Sequence, residues 1–335
     1  MRCFAVLMLI ALLSAVSHAG PISSDVYERE AKVFEVFQKN FAAETDPGKK
    51  FELVKDAWKE TFYFRAKVLP IATAMPGEQL DAFLIAMTSD PNSYYRITAA
   101  NLLGKHGSEK CLPTLVKLAK EDVPSKRVEP GCCIVGTESA RFNAIFALVQ
   151  FAKRFPALAD QITVEIRNLP TATDPEFKNE RLDDVRLCAL YQLTRDEKLL
   201  APFYERLKSK NAEERRDGAN VFGMCDLKAA PSELLAAMKD SEEKVRSTVA
   251  IILGKIADPK AVPLLIAAAA DAKEDRGVRC NAVWSLGYMK AADATDLLKK
   301  LLDDPDPAVP ANAAVALYRI TGKKEKQFPE GYNAD

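Results

Sequence analysis

The segment Val245–Gly254, VRSTVAIILG, returns 33 residues later as VRCNAVWSLG, Val278–Gly287, with Arg279 in the place of Arg246 and Leu286 in that of Leu253. Self-similarity at such a period marks a helical solenoid, in which a helix pair cannot bury its apolar face alone and neighbouring pairs stack to cover it. With the arginine as origin, further copies begin at Arg96, Arg141, Arg186 and Arg215, and Pro310 holds that place in the last, giving spacings of 45, 45, 29, 31, 33 and 31. Three residues beyond each origin stand Ala99, Ala144, Ala189, Gly218, Val249, Ala282 and Ala313, and seven beyond stand Leu103, Leu148, Leu193, Phe222, Leu253, Leu286 and Leu317. Steps of three and four put both sets on one helical face, the small residues allowing close helix approach and the large ones filling the space between repeats.

These units resemble HEAT repeats, in the short form also found in bilin-lyase-like proteins. The resemblance covers roughly Pro76 to Gly322 and implies an all-α fold, a right-handed α-solenoid of about seven helix pairs with an N-terminal helical cap. In that family an aspartate six residues before the arginine takes part in a ladder between repeats. Asp90 with Arg96 and Asp240 with Arg246 match it, and Asp304 lies six before Pro310, where the cation is missing. Val135, Glu180, Ser209 and Lys273 occupy the aspartate's offset in the remaining repeats, so a continuous ladder is not expected.

The first 19 residues read as a targeting segment. Arg2 precedes the apolar run FAVLMLIALLSAV, and Ser17, His18 and Ala19 offer a small-x-small cleavage site before Gly20. The run is shorter than the ~20 residues of an ordinary membrane span, and no later stretch is long enough. The expectation is therefore an exported protein, bacterial periplasmic or secreted, that does not span a membrane after signal removal. The chain has 47 basic and 47 acidic residues, and losing Arg2 leaves about −1. A balanced surface gives no field for tracking phosphates, so nucleic acid is not an expected partner.

Residues 20–75 show helical periodicity without the repeat signature. Ser24 and Asp25 suit an N-cap, Val26, Val33, Phe34, Phe37 and Phe41 form an apolar stripe, Pro47 and Gly48 break it, and Phe51, Val54, Trp58 and Phe62 line a second helix. This segment is expected to cap the open end of the solenoid, which runs over residues 76–322. Residues 323–335 form a polar tail expected to be poorly ordered. Two insertions, Glu121–Thr137 and Pro170–Asn179, fall in adjacent repeats between first and second helix, so the two loops are expected side by side on one edge.

The first insertion holds Cys132 and Cys133, the most chemically suggestive dipeptide in the chain. In an oxidising compartment Cys111, opening the helix that leads into this loop, is the expected disulfide partner for one of them, with a redox-active vicinal pair as the alternative. Cys188, Cys225 and Cys280 read as small buried residues. His106 is the one histidine left after processing, so a multi-histidine metal site is excluded, and no metal or cofactor is expected.

Positions two, five and nine beyond each origin share the face opposite the buried stripe, which in HEAT-like arrays lines the concave side. The middle position carries Asn101, Phe146, Tyr191, Asn220, Ile251, Trp284 and Val315; Asn143 and Asn281 stand at the earlier position, Arg195 and Tyr288 at the later. Aromatics bordered by amides and cations suit a protein or peptide partner, with Phe146, Tyr191, Trp284 and Tyr288 as anchors. The function expected from the sequence is thus an exported, non-enzymatic scaffold or adaptor. The alternative is an enzyme or cofactor-handling protein centred on the edge loops around Cys132 and Cys133.

Overall fold

The computed structural model describes residues 24–58, 62–75, 77–122, 140–170 and 181–329, and these are helices joined by turns, with no strand among them. Their contacts divide the chain into two compact units, Met1–Ala189 and Leu190–Asp335. The termini before Ser24 and after Pro329, and residues 123–139 and 171–180, which hold most of both insertions with Cys132 and Cys133, lie outside the described residues.

In the first unit α1 (Ser24–Ala43), α2 (Pro47–Ala57) and α3 (Phe62–Thr73) precede the repeats. Asp46 caps α2 by accepting from the Lys49 N–H at 2.8 Å. On α1 Phe37 is buried and Phe34 and Phe41 are half-buried, whereas Val33, expected in the same apolar stripe, is 41% exposed. Then come α4 (Gly77–Met87) and α5 (Ser93–His106), α6 (Leu112–Glu121) and α7 (Arg141–Arg154), α8 (Ala159–Arg167), and α9 (Leu182–Thr194), within which the division between units falls. Trp58, just past α2, donates Nε1–H to Asp90 at 3.3 Å and sets its ring edge-on to Phe83 and Tyr95, so the leading helices are fastened to the first repeat.

The second unit continues with α10 (Ala201–Leu207) and α11 (Ala212–Phe222), the short α12 (Ser232–Ala236) and α13 (Glu243–Ile256), α14 (Val262–Ala270) and α15 (Arg276–Tyr288), α16 (Thr295–Leu301) and α17 (Ala308–Thr321). The second helices pack in series, α11 on α13, α13 on α15 and α15 on α17. Small residues make this approach close. A Cβ on Gly254 would stand 2.9 Å from the Ser285 Cα, and one on Gly287 2.6 Å from the Ala316 Cα. The small and large stripe residues are buried throughout both units, except that Leu193 is half-buried.

Four of the origin arginines, Arg96, Arg215, Arg246 and Arg279, reach a carboxylate of the next turn, whereas Arg141 and Arg186 donate to the Ala119 and Leu169 carbonyls. Arg246 donates Nη1 to the carbonyls of Asp240 (2.6 Å) and Ser241 (3.0 Å) in its own turn, while Nε and Nη2 close on the Glu274 carboxylate of the next. Arg215 does the same with the Ser209 carbonyl and the Asp240 carboxylate, Arg96 with the Asp90 carbonyl and the Asp122 carboxylate, and Arg279 reaches Asp304. The geometry corrects the expected pairing in two ways. The residue six before the arginine serves that arginine through its carbonyl and the preceding repeat through its carboxylate. Two of the repeats lacking an aspartate at that offset supply another acid, Glu274 five before Arg279 and Asp122 just past α6. Asp304 has its cation in Arg279; Pro310 ends only the onward step.

The tail also differs from expectation over residues 323–329. Phe328 packs edge-on to Tyr318 with ring centroids 5.1 Å apart, and Gln327 donates Nε2–H to the Leu302 carbonyl at 3.3 Å. An aromatic and an amide anchor what its polar composition left free.

Candidate functional site

The second unit carries an open pocket of about 620 Å³ where α9 ends. Arg195 ends that helix in the left-handed region, φ 56°, its N–H bonded to the Tyr191 carbonyl at 2.8 Å. Asp196 then caps the following turn by accepting from the Lys198 N–H at 3.1 Å. This reversal brings Glu197 back beside Tyr191, whose hydroxyl donates to Glu197 Oε1 at 3.2 Å. Tyr204, on α10, leans on Phe222 (ring centroids 5.1 Å apart) and supplies a second phenol, with Leu227, Ala229, Ala230 and Pro231 as apolar wall.

Charge in the pocket is arranged around two carboxylates. Asp226, itself at φ 50°, takes both rim cations: Arg195 on its carbonyl (3.0 Å) and Oδ2 (3.3 Å), and Lys228 on Oδ1 (2.9 Å). Glu197 accepts a neutral phenol. Burial, reinforced by Glu197 and Glu233, pushes the Tyr204 phenol up to about 12, so it stays protonated. Burial and Glu197 also raise Tyr191, against the pull of Arg195. The arrangement offers a carboxylate among aromatic faces, which is the chemistry that receives an ammonium group.

The residues expected from the sequence as partner anchors are distributed as follows. Tyr191 is 6% exposed and serves the pocket, with the Arg195 guanidinium 5.4 Å from its ring. Trp284 is half-buried and stacks on Tyr288, centroids 5.0 Å apart and planes at 16°, while Tyr288 is 51% exposed and Arg319 stands 5.6 Å from the Trp284 ring. Asn281 donates Nδ2–H to Ser247 Oγ at 2.7 Å. In the first unit Phe146 is half-buried against Phe142, and Asn143 accepts from Asn101 at 3.4 Å. Glu197, Tyr204 and Asp226 were not singled out from the sequence, because they lie in turns and on a first helix while the repeat register marks second helices. The Arg195–Asp196–Glu197 turn after an aromatic helix end was the available signal.

Cys111 is a buried free thiol whose pKa burial and Asp81 push up to about 12, so it is not a thiolate. Its expected partners Cys132 and Cys133 fall outside the described residues. His106 is held low by burial and by Arg154 and Lys105. Among the described residues no group of three or more His, Cys, Asp or Glu could hold a metal ion, and no helix is long and apolar enough to cross a membrane.

The family model for HEAT repeats matches residues 200–277 and 268–329. Among curated proteins, the deoxyhypusine hydroxylase of Emericella nidulans is 32% identical over 117 residues, 35% of this chain and 34% of that protein. The deoxyhypusine hydroxylase of Aspergillus oryzae is 32% identical over 129 residues, 37% and 38% of the two. The chain thus spans about a third of the length of these relatives. Among solved structures, human deoxyhypusine hydroxylase with glycerol aligns over 83% of this chain and 98% of its own at 18% identity and TM-score 0.33, and Escherichia coli YibA over 90% and 98% at 16% and 0.39.

These relatives correct three expectations. The curated proteins matched are enzymes, which overturns the non-enzymatic scaffold and the preference for a chain without catalytic activity, and favours the alternative of an enzyme. A bacterial periplasmic or secreted adaptor does not fit a chain whose curated relatives are fungal hydroxylases, and export is withdrawn with it. The physical source of the error is that array periodicity reports architecture, whereas chemistry resides in turn residues the register passes over.

Proposed function

We propose that this chain, whose residues 200–329 are HEAT repeats, is an enzyme or the substrate-holding part of one, acting on an amine-bearing side chain of a protein. Deoxyhypusine, named in the curated relatives, is a lysine derivative with a long amine-ended side chain. The observation that carries the reading is Glu197: a carboxylate in an aromatic pocket, bonded to the Tyr191 hydroxyl while Asp226 absorbs the neighbouring cations. The methylenes of such a side chain pack on Leu227 and Pro231, and its ammonium meets Glu197 between two phenol rings.

Hydroxylation of a carbon needs an oxygen-activating centre, commonly a metal held by histidines and carboxylates. The chain has two histidines, His18 and His106, and the described residues do not fit such a centre. The role they fit is recognition: binding the side chain, neutralising its charge and, with Tyr204 kept protonated, donating a hydrogen bond to a neutral nitrogen or oxygen of the substrate.

Titration calorimetry with a peptide carrying an aminobutyl-lysine tests this. Saturable binding, weakened about 10- to 100-fold in Glu197→Gln as expected for loss of one charge-assisted hydrogen bond, supports the reading. Equal binding of the same peptide with its amines acetylated overturns it.

A further inference from the structure

Three second helices of the second unit carry one side in register, exposed at Lys244, Lys255, Gly277 and Tyr288 and buried at Val315. The residues two before and two, five and nine beyond each origin are Lys244, Thr248, Ile251 and Lys255 on α13, Gly277, Asn281, Trp284 and Tyr288 on α15, and Ala308, Asn312, Val315 and Arg319 on α17. Steps of four, three and four keep each set on one side of its helix. None of these positions carries a carboxylate, although acids are as numerous as bases in the chain. Lys244 and Lys255 are exposed, and among the described residues neither pairs with an acid, whereas Arg246 and Arg279 on the same helices are committed to Glu274 and Asp304. On α11 the same register carries Glu213 and Asp217, so the sign reverses at the next repeat.

From this register we infer that the α13–α15–α17 face docks an extended acidic segment of a protein partner, with an apolar side chain of that segment seated on Tyr288. Charge complementarity chooses the occupant. The exposed Lys244 and Lys255 meet carboxylates, and the exposed Tyr288 ring, held flat by Trp284, offers one apolar platform. Asn281 spends its Nδ2 on Ser247 and Asn312 its Nδ2 on the Ala308 carbonyl, at 2.8 Å for the latter, which leaves the two amide oxygens as acceptors. Peptide N–H groups match such acceptors, whereas the phosphodiester groups of a nucleic acid only accept. One stacking platform and a chain of balanced charge also argue against a single strand, which needs successive platforms and a continuous cationic track. The face lies outside the Glu197 pocket and deepens that reading by naming how the substrate-bearing protein is held.

The experiment is fluorescence anisotropy with the full chain and three labelled probes: an extended peptide of glutamates and aspartates around a central leucine, its Gln/Asn counterpart, and a single-stranded RNA oligonucleotide of similar length. The expected result is binding of the acidic peptide, about tenfold weaker binding of the neutral one, and a comparable loss for the acidic peptide in Lys244→Gln/Lys255→Gln and in Tyr288→Ala. Equal affinity for both peptides, no binding, or tighter binding of the oligonucleotide overturns the inference. The acidic probe carries no amine, so its binding is insensitive to Glu197→Gln. Failure of the pocket therefore shows in the calorimetry above, and failure of the face shows here.

Discussion

Arg246 closes Nε at 2.9 Å and Nη2 at 2.6 Å on Glu274, a carboxylate supplied by the next repeat, while its third nitrogen holds the carbonyls of its own turn. One side chain thereby ties the turns of consecutive helix pairs together. Both groups are largely buried, at 18% and 14% exposure, so solvent screens the pair little. Arg246→Ala leaves Glu274 without its cation and is expected to lower stability by about 2 kcal/mol, the scale of charge-assisted hydrogen bonds lost from a partly buried site. Urea unfolding measures this; an unchanged midpoint contradicts it.

The bridges make stability depend on acid. The partner guanidinium holds Asp240, Glu274 and Asp304 below their ordinary carboxyl values of 3.8, 4.5 and 3.8. A carboxyl whose folded pKa is depressed contributes stability that is present above its unfolded value and lost as pH falls through the folded one. The melting temperature is expected to hold steady down to about pH 5 and to fall below it. In Asp304→Asn it starts lower at neutral pH and drops less on acidification. A variant that parallels the unaltered chain at every pH counts against the assignment.

Gly254→Ala sets two effects against each other. Alanine gains about 1 kcal/mol in helix propensity, but its Cβ meets the Ser285 backbone, which cannot swing aside. Overpacking of this kind costs about 1–3 kcal/mol, so net destabilisation is expected. Thermal melting of the variant decides the sign.

Tyr204 reports on the pocket from its own titration. Its phenol is pushed up to about 12 by burial and by the charges of Glu197 and Glu233. Glu197→Gln removes one of those charges and is expected to shift the phenolate absorbance of Tyr204 to lower pH. No shift places Glu197 too far away to act on the pocket.

The architecture was legible because it rests on what a register records. Ala99, Leu103, Ala282 and Leu286 stand at fixed offsets and are buried without exception, since each helix must present the same face to its neighbour. The bridging acids were only half legible. Their place depends on turn length, and Glu274 and Asp122 reach the same guanidinium position from other offsets. Phe328 in the tail and Val33 in the leading helix show the limit from two sides: apolar character states a tendency, and only the neighbouring helix decides whether it is met. Of the candidate pocket, Tyr191 and Arg195 stood in the repeat register, where they were expected to face a protein partner, and Glu197, Tyr204 and Asp226 did not, because a left-handed residue at position 195 redirects the chain and no spacing rule encodes that turn.

The central claim is that an amine-bearing side chain enters the pocket between Tyr191 and Tyr204. Nuclear magnetic resonance of the chain with 13C-labelled tyrosine tests it most directly, with the aminobutyl-lysine peptide added stepwise and the signals assigned by Tyr191→Phe and Tyr204→Phe. The account predicts that the ring resonances of Tyr191 and Tyr204 move together to saturation and that the acetylated peptide leaves them still. Saturable binding that leaves both rings unmoved would contradict it.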